Sequence, residues 1–121
     1  MKKVLIVDDD QAVCKMLQKF LSNKGYEAII ALKSDEALRK LKEEKPRVVI
    51  LDIIMPNVNG LELLGKIKEA DKDVIVIMLT AVQGESVIKK SLEMGAGDYI
   101  TKPLSLDYLE AVLTRKLIDV G

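Results

Sequence analysis

The stretch that decides the fold is Val48-Val49-Ile50-Leu51-Asp52, followed by Ile53-Ile54-Met55-Pro56-Asn57-Val58-Asn59-Gly60. Four consecutive aliphatic residues bounded by turn-forming residues predict a short strand that is buried on both faces, as in parallel sheets. Open α/β sheets bind their ligands at the carboxyl ends of the strands. Asp52 stands at such an end and is a candidate functional carboxylate. The plainer interpretation is an Asp that caps the following turn, and this stretch alone does not decide between the two.

The composition indicates which broad class of protein this chain belongs to. The chain of 121 residues fits one domain spanning residues 1–121, and 49% hydrophobic with 31% charged residues is typical of a soluble globular protein. Lys plus Arg and Asp plus Glu both number 19, which argues against nucleic-acid binding. No apolar run approaches the roughly 20 residues that span a bilayer, and the N-terminus does not resemble a signal peptide. We therefore expect a cytoplasmic protein that does not bind membranes.

The cysteine and histidine content restricts which disulfides, metal sites and catalytic triads the chain can form. Cys14 is the single cysteine, so an internal disulfide is excluded and a reducing compartment is favoured. The absence of histidine excludes zinc sites of the His type and a Ser-His-Asp triad. Any metal must be held by oxygen ligands, which indicates Mg²⁺ or a similar hard cation.

Hydrophobic periodicity alternates between strands and helices along the whole chain. Strands are predicted at 3–7, 26–31, 48–51, 74–79 and 98–101, and helices at 11–23, from 34, from 59 or 60, at about 85–94, and after 105. Ser34 and Ser105 are predicted N-caps, and Gly25 and Gly95 are predicted to end helices. The first helix is predicted to bury an apolar face that leaves out Cys14. That face is formed by Val13, Met16, Leu17, Phe20 and Leu21. Five βα units predict a doubly wound parallel five-stranded α/β sheet in the flavodoxin-like order 2-1-3-4-5, with helices on both faces.

Polar residues recur where the predicted strands end. Asp8 and Asp9 follow the first strand, Asp52 the third, Thr80 the fourth and Lys102 the fifth. Two carboxylates 4 Å apart repel by about 4 kcal/mol at an effective dielectric constant near 20, so the acids would become protonated or move apart unless a cation lay between them. One Mg²⁺ ion and Lys102 would neutralise the three acids, and a dication beside an ammonium group is the apparatus of phosphoryl transfer. Asp52 is then the candidate nucleophile that forms an acyl phosphate.

The chain resembles the response regulator receiver domains of two-component signalling, from Val4 to Leu117. Each matching motif is weak alone, but together they occur in order on the expected elements. The motifs are Leu5-Ile6-Val7-Asp8-Asp9-Asp10, Leu51-Asp52-Ile53-Ile54-Met55-Pro56 with Gly60, Met78-Leu79-Thr80-Ala81, and Gly95-Ala96-Gly97-Asp98-Tyr99-Ile100-Thr101-Lys102-Pro103.

The resemblance implies a phosphoacceptor with a magnesium site. Asp52 matches the residue that accepts the phosphoryl group and also binds Mg²⁺. Asp9 matches the direct Mg²⁺ ligand, Asp8 binds the ion mainly through water, and the backbone carbonyl of Ile54 is a further ligand. Asp10 is either a third acid of the site or the N-cap of the first helix.

The resemblance also implies a conformational switch. Thr80 matches the hydroxyl that moves to a phosphoryl oxygen, Lys102 the amine that pairs with that group, and Tyr99 the aromatic residue whose rotamer follows Thr80. The Lys102–Pro103 peptide bond is expected to be cis. The plainer interpretations are β-propensity for Thr80, a half-buried strand aromatic for Tyr99 and a solvated lysine for Lys102.

The implied function is that of a signalling phosphoacceptor, which catalyses only its own phosphorylation and dephosphorylation and is not a classical enzyme. Its partners would be a sensor histidine kinase or phosphotransfer protein and a downstream effector protein or domain. The surface of the fourth helix, fifth strand and fifth helix would change on phosphorylation, with a phosphorylation-dependent homodimer left open. The receiver pattern occupies the whole sequence, so the chain is expected to be a stand-alone regulator or a receiver from a longer protein.

Two residues that flank the predicted site bear on the lifetime of the acyl phosphate. Ile54 and Val82 lie two residues beyond Asp52 and Thr80, respectively. Both side chains are apolar and cannot hold an attacking water by hydrogen bonding. We therefore expect slow self-dephosphorylation.

Three other functions fit parts of the sequence less well. A phosphatase of the haloacid dehalogenase type would use Asp8 as nucleophile, but Ala12 stands where that family has Thr or Val, and a cap domain does not fit this length. A flavodoxin-like FMN binder needs a phosphate loop after the first strand, where the acids at 8–10 would repel phosphate. An interaction module that cannot be phosphorylated is the least favoured, because none of the expected acids is missing.

Overall fold

A computed structural model describes residues 2–52, 54–55, 58–81 and 84–120, with the backbone alone described at residues 54, 55, 58 and 118–120. The predicted position Val82 lies outside the described residues, as does the side chain of Ile54. Within the described chain, no helix is both long enough and apolar enough to cross a bilayer.

The central sheet is parallel and has the predicted order. Its strands lie side by side in the order β2-β1-β3-β4-β5, which confirms the 2-1-3-4-5 arrangement and places the switch point between β1 and β3. A two-stranded antiparallel hairpin, Ile54–Met55 with Val58–Asn59, follows β3. The strands are β1 (Lys2–Val7), β2 (Tyr26–Ala31), β3 (Val48–Leu51), β4 (Ile75–Thr80) and β5 (Asp98–Thr101).

The described helices follow the strands as expected. Gly25 and Gly95 adopt positive φ directly after helix C-caps, where glycine avoids a steric penalty. Ser105 accepts a hydrogen bond from the Tyr108 amide at the start of the last helix, as predicted. The helices are α1 (Gln11–Asn23), α2 (Ser34–Glu44), α3 (Gly60–Ala70), α4 (Glu85–Glu93) and α5 (Leu106–Val120).

Alternate residues of each buried strand divide the core into two layers. Val49 and Leu51 face a layer built with α2 and α3, whereas Val48 and Ile50 face a layer built with α1 and α5. All four side chains are at most 2% exposed. This two-sided burial explains why β3 reads as a continuous aliphatic run, and it fixes the sheet edge at which Asp52 emerges.

Two predictions about local structure are wrong. Cys14 is fully buried among the core residues of α1, whereas Met16 is 44% exposed, because the buried face of α1 runs through Cys14, Leu17 and Leu21. Ser34 is the first helical residue of α2 and makes no capping hydrogen bond; Lys33 occupies the cap position.

Candidate functional site

The acids of the site are fixed by the backbone ladder of the sheet. The Asp8 amide donates to the Ala31 carbonyl of β2 at 3.2 Å, and the Asp52 amide donates to the Val7 carbonyl of β1 at 3.1 Å. Each acid therefore continues the hydrogen bonding of its strand by one residue. This brings both carboxylates to the carboxyl edge of the sheet, beside the switch point.

Lys102 joins the two acids. Its Nζ lies 3.0 Å from Asp52 Oδ2 and 3.2 Å from Asp8 Oδ2, so one ammonium group donates to both carboxylates. The Lys102 amide also donates to the Thr80 carbonyl at 2.9 Å, which ties the residue after β5 to the end of β4. Lys102 is therefore not a solvated loop lysine, and its peptide bond to Pro103 is cis, as expected.

Burial shifts the pKa values of the charged groups in this cluster. Asp8 is 3% exposed and Asp52 6%, and desolvation raises the pKa of Asp8 despite hydrogen bonds from the Asp10 amide and Lys102. Burial acts to lower the pKa of Lys102, but its hydrogen bond to Asp52 and the charges of both acids raise it above the ordinary value. Two buried acids with one ammonium group leave excess negative charge if all three are ionised.

The remaining predicted residues lie around this cluster in different environments. Thr80 is fully buried at the end of β4. Tyr99 is half-buried, packs against the core layer of α2 and α3, and has a pKa raised by burial and by the negative charge of Asp52. Asp9 is exposed. Asp10 accepts hydrogen bonds from the amides of residues 12 and 13, so its N-cap role is confirmed.

The carboxylates of the site supply part of what a divalent metal ion needs. The described residues do not bring three or more carboxylate or thiol groups close enough to form a complete metal site. Two carboxylates, Asp8 and Asp52, do converge on one cation, Lys102 Nζ. Their oxygen donors and uncompensated charge suit a hard dication such as Mg²⁺, with water or backbone oxygens completing the coordination.

One contact at the site was not predicted from the sequence. The Cys14 thiol donates to the Asp8 carbonyl at 3.3 Å and links α1 to the loop that carries the acids. Burial and the nearby aspartates raise the pKa of the thiol to about 11. A cysteine one turn into a helix that follows three acids is compatible with this contact, but the choice of face depends on the tertiary packing of α1.

Comparison with known proteins identifies the family. The response regulator receiver domain family matches residues 4–114. The alkaline phosphatase synthesis transcriptional regulatory protein PhoP of Bacillus subtilis is 38% identical over 104 residues, which cover 86% of this chain and 43% of that protein. The chain thus spans about half the length of the curated relatives that it matches.

Solved structures agree in fold. A CheY-like receiver domain protein of Methanospirillum hungatei has a TM-score of 0.94 at 34% identity, with 98% of this chain and 95% of that chain covered. CheY in the CheX–CheY–BeF3–Mg complex of Borrelia burgdorferi has a TM-score of 0.90 at 34% identity, with 96% and 89% covered. With its family match, its sheet order and its paired acids, this chain belongs to the receiver domain family of two-component response regulators.

Proposed function

We propose that Asp52 accepts a phosphoryl group from the phosphohistidine of a sensor histidine kinase or a phosphotransfer protein. The observation that supports this most directly is the placement of Lys102 Nζ, 3.0 Å from Asp52 Oδ2 and 3.2 Å from Asp8 Oδ2, at buried carboxylates. The family supplies the reaction class, since receiver domains are phosphoacceptors.

The transfer balances as an in-line displacement. An Asp52 carboxylate oxygen bonds to phosphorus as the bond between phosphorus and the histidine nitrogen breaks, and the departing imidazole keeps that electron pair and takes up a proton. The new acyl phosphate adds negative charge at Asp52. Lys102 already lies at hydrogen-bond distance from that carboxylate and offsets the added charge.

Mg²⁺ is the proposed cofactor. Asp8, Asp9 and Asp52 and the backbone carbonyl of Ile54 would hold it, with Asp8 acting mainly through water. When bound, Mg²⁺ supplies charge neutralisation and orients the phosphoryl oxygens. The relative from Borrelia burgdorferi was solved as a complex with BeF3 and Mg, which supports the same ion here.

The reporting step is assigned to Thr80 and Tyr99. The Thr80 hydroxyl would move to a phosphoryl oxygen. Thr80 lies next to the site, because its carbonyl accepts a hydrogen bond from the amide of Lys102. Tyr99 stands beside Met78 in the register of β4 and β5, and its pKa responds to the charge of Asp52. A change at Asp52 would therefore shift the population of conformers on the surface of α4, β5 and α5.

Dephosphorylation completes the cycle without a classical enzyme activity. Water would hydrolyse the acyl phosphate, and the apolar residues Ile54 and Val82 would make this step slow. The domain would catalyse only its own phosphorylation and its own dephosphorylation.

The wider biological role follows from the family. Response regulators work with histidine kinases and effector domains. For this chain we propose a single receiver domain over residues 1–121 that resides in the cytoplasm, binds neither nucleic acid nor membranes directly, and passes its signal to an effector protein or domain. Phosphorylation-dependent dimerisation through α4, β5 and α5 is part of this proposal.

Intact-mass measurement tests the proposal. Purified protein is incubated with Mg²⁺ and acetyl phosphate or phosphoramidate, and one added phosphoryl group is expected. Asp52→Asn should abolish the gain, whereas Asp107→Asn, which changes an exposed acid on α5, should retain it. No gain with either donor would contradict the proposal, and a phosphoryl group mapped to Asp8 would support the phosphatase alternative instead.

A further inference from the structure

The outer edge of β2 lies at the margin of the described sheet, because β2 is its terminal strand and pairs with β1 on one side. The Ala31 carbonyl accepts from the Asp8 amide, so residue 31 points its peptide groups towards β1. Consecutive residues of a strand point these groups to opposite edges. The peptide groups of residues 28, 30 and 32 therefore face outwards.

Side chains occupy three of these outward groups. Gln18 Nε2 of α1 donates to the Ala28 carbonyl at 3.0 Å, and Lys40 Nζ of α2 donates to the Ile30 carbonyl at 2.6 Å. Glu36 Oε1 accepts from the Leu32 amide at 2.7 Å. The donors and the acceptor come from helices on both faces of the sheet. We name the three side chains Gln18, Glu36 and Lys40 the edge guards.

The edge guards reinforce one another. Lys40 Nζ lies 3.6 Å from Glu36 Oε2, one turn apart on α2, so the two charged guards form an ion pair along the edge. Their side chains are 27% and 32% exposed, respectively, which shows that they lie against the strand and do not extend into solvent. Charged groups at a sheet edge and helices that cover it are both recognised barriers to pairing with another chain, and here the charged groups reach the edge from α2.

The strand beneath the guards is well suited to self-pairing. The segment Tyr26-Glu27-Ala28-Ile29-Ile30-Ala31 is rich in aliphatic residues, has one charged residue and lacks Pro and Gly. Two copies related by a two-fold axis and paired at Ala28 would be antiparallel, with Glu27 opposite Ile29 of the second copy. Like charges would therefore not meet in this register.

We propose that the β2 edge is a strand-addition surface for a second copy of this chain, held closed by Gln18, Glu36 and Lys40. An incoming strand must break the guard hydrogen bonds before its own ladder forms. Removing the guards from both copies should therefore strengthen self-association by about tenfold for each guard bond that no longer has to be broken. Self-association through β2 does not require phosphorylation of Asp52.

The test uses Gln18→Met/Lys40→Met, which keeps the side-chain length and removes both donors. Its mass is measured by light scattering across a concentration series without Mg²⁺ or phosphodonor, and concentration-dependent dimers are expected where the wild type is monomeric. The amides of Ala28 and Ile30 should gain protection from hydrogen exchange as dimers form. A second variant, Lys40→Arg with Gln18 unchanged, keeps a donor at each position and should remain monomeric.

The matched control is Gln11→Met/Lys42→Met, which removes one amide and one ammonium group from exposed positions of the same two helices. It should behave as the wild type does. A guard variant that has native circular dichroism and stays monomeric at the highest concentration would overturn the proposal. Dimers that leave the amides of Ala28 and Ile30 unprotected would also overturn it, because association would then use another surface.

Discussion

Lys102→Met gives the sharpest test of the electrostatics of the site. The substitution keeps most of the aliphatic stem and removes the ammonium group that serves Asp8 and Asp52. Their side chains are 4% and 7% exposed, so two buried carboxylates would lose their shared cation. Breaking a buried ion pair from one side costs about 3–5 kcal/mol.

The expected loss lies at or just below the lower limit of that range. The Lys102 side chain is 26% exposed, so water already screens part of the pair in the wild type. We expect the free energy of unfolding at pH 7 in Mg-free buffer to fall by about 2–3 kcal/mol. With typical urea m-values, this lowers the denaturation midpoint by about 1–2 M.

The pH dependence distinguishes an electrostatic loss from a packing defect. Desolvation raises the pKa of Asp8, and Lys102 acts to lower it, so removing Lys102 raises that pKa further. A raised carboxyl pKa favours folding below the pKa of the unfolded state, and this advantage is lost as pH rises through the pKa of the folded state. The loss caused by Lys102→Met should therefore be full at pH 7 and shrink as Asp8 becomes protonated in acid.

Urea unfolding of the wild type and of Lys102→Met is measured at pH 7 and at an acidic pH where both remain folded. Lys89→Met is the matched control, because Lys89 is an exposed lysine on α4, and its effect should be small at both pH values. A stability loss for Lys102→Met that is equal at the two pH values would refute the electrostatic account. A loss no larger than that of the control would refute it as well.

Three further predictions use other residues of the site. Asp8→Asn should raise the urea midpoint at pH 7 in Mg-free buffer, since it removes a buried charge whose raised pKa opposes folding, while Mg-dependent phosphorylation falls; a lower midpoint would contradict this. Cys14 should resist alkylation in the native state. Because folding raises its pKa from 9.0 to about 11, the wild type should lose about 2 kcal/mol more stability than Cys14→Ala as pH rises from 9 to 11, measured by urea unfolding. Val82→Gln and Ile54→Asn should each accelerate loss of the phosphoryl group after the donor is removed, as measured by intact mass. An unchanged decay rate would contradict the idea that the apolar side chains at these two positions slow hydrolysis.

The sheet and the location of the site could be predicted from the sequence because strong local signals agreed with one another. The aliphatic run at 48–51 and the glycines at 25 and 95 specified strand and helix ends, and the strand order followed from the alternation of elements. Once the order was known, Asp52 and Lys102 had to meet at one edge of the sheet. Their contact joins residues 50 positions apart and is confirmed at 3.0 Å.

Other features could not be predicted because they depend on packing that local patterns do not encode. Either Cys14 or Met16 could have faced the core from the spacing in α1, and the rotation of that helix against the sheet decided in favour of Cys14. Serine is a favoured residue type at an N-cap, but α2 begins at Ser34 itself, one residue earlier than an N-cap role for Ser34 requires. The edge guards arise from three side chains on two helices, so their convergence on β2 appears only in three dimensions.

The backbone hydrogen bonds around the site separate what is fixed from what can respond. The amides of Asp8, Asp52 and Lys102 each donate to a carbonyl of a neighbouring strand, so these backbones are anchored to the sheet. Thr80 is fully buried at the end of its strand, and its carbonyl accepts from the Lys102 amide, so its backbone is tied to the sheet. Under the proposed function, a phosphoryl group on Asp52 would act first on the side chains of Lys102 and Thr80, and through them on Tyr99. It follows that substitutions in the strands should change stability, whereas substitutions at Thr80 and Tyr99 should change the response while the acid cluster stays in place.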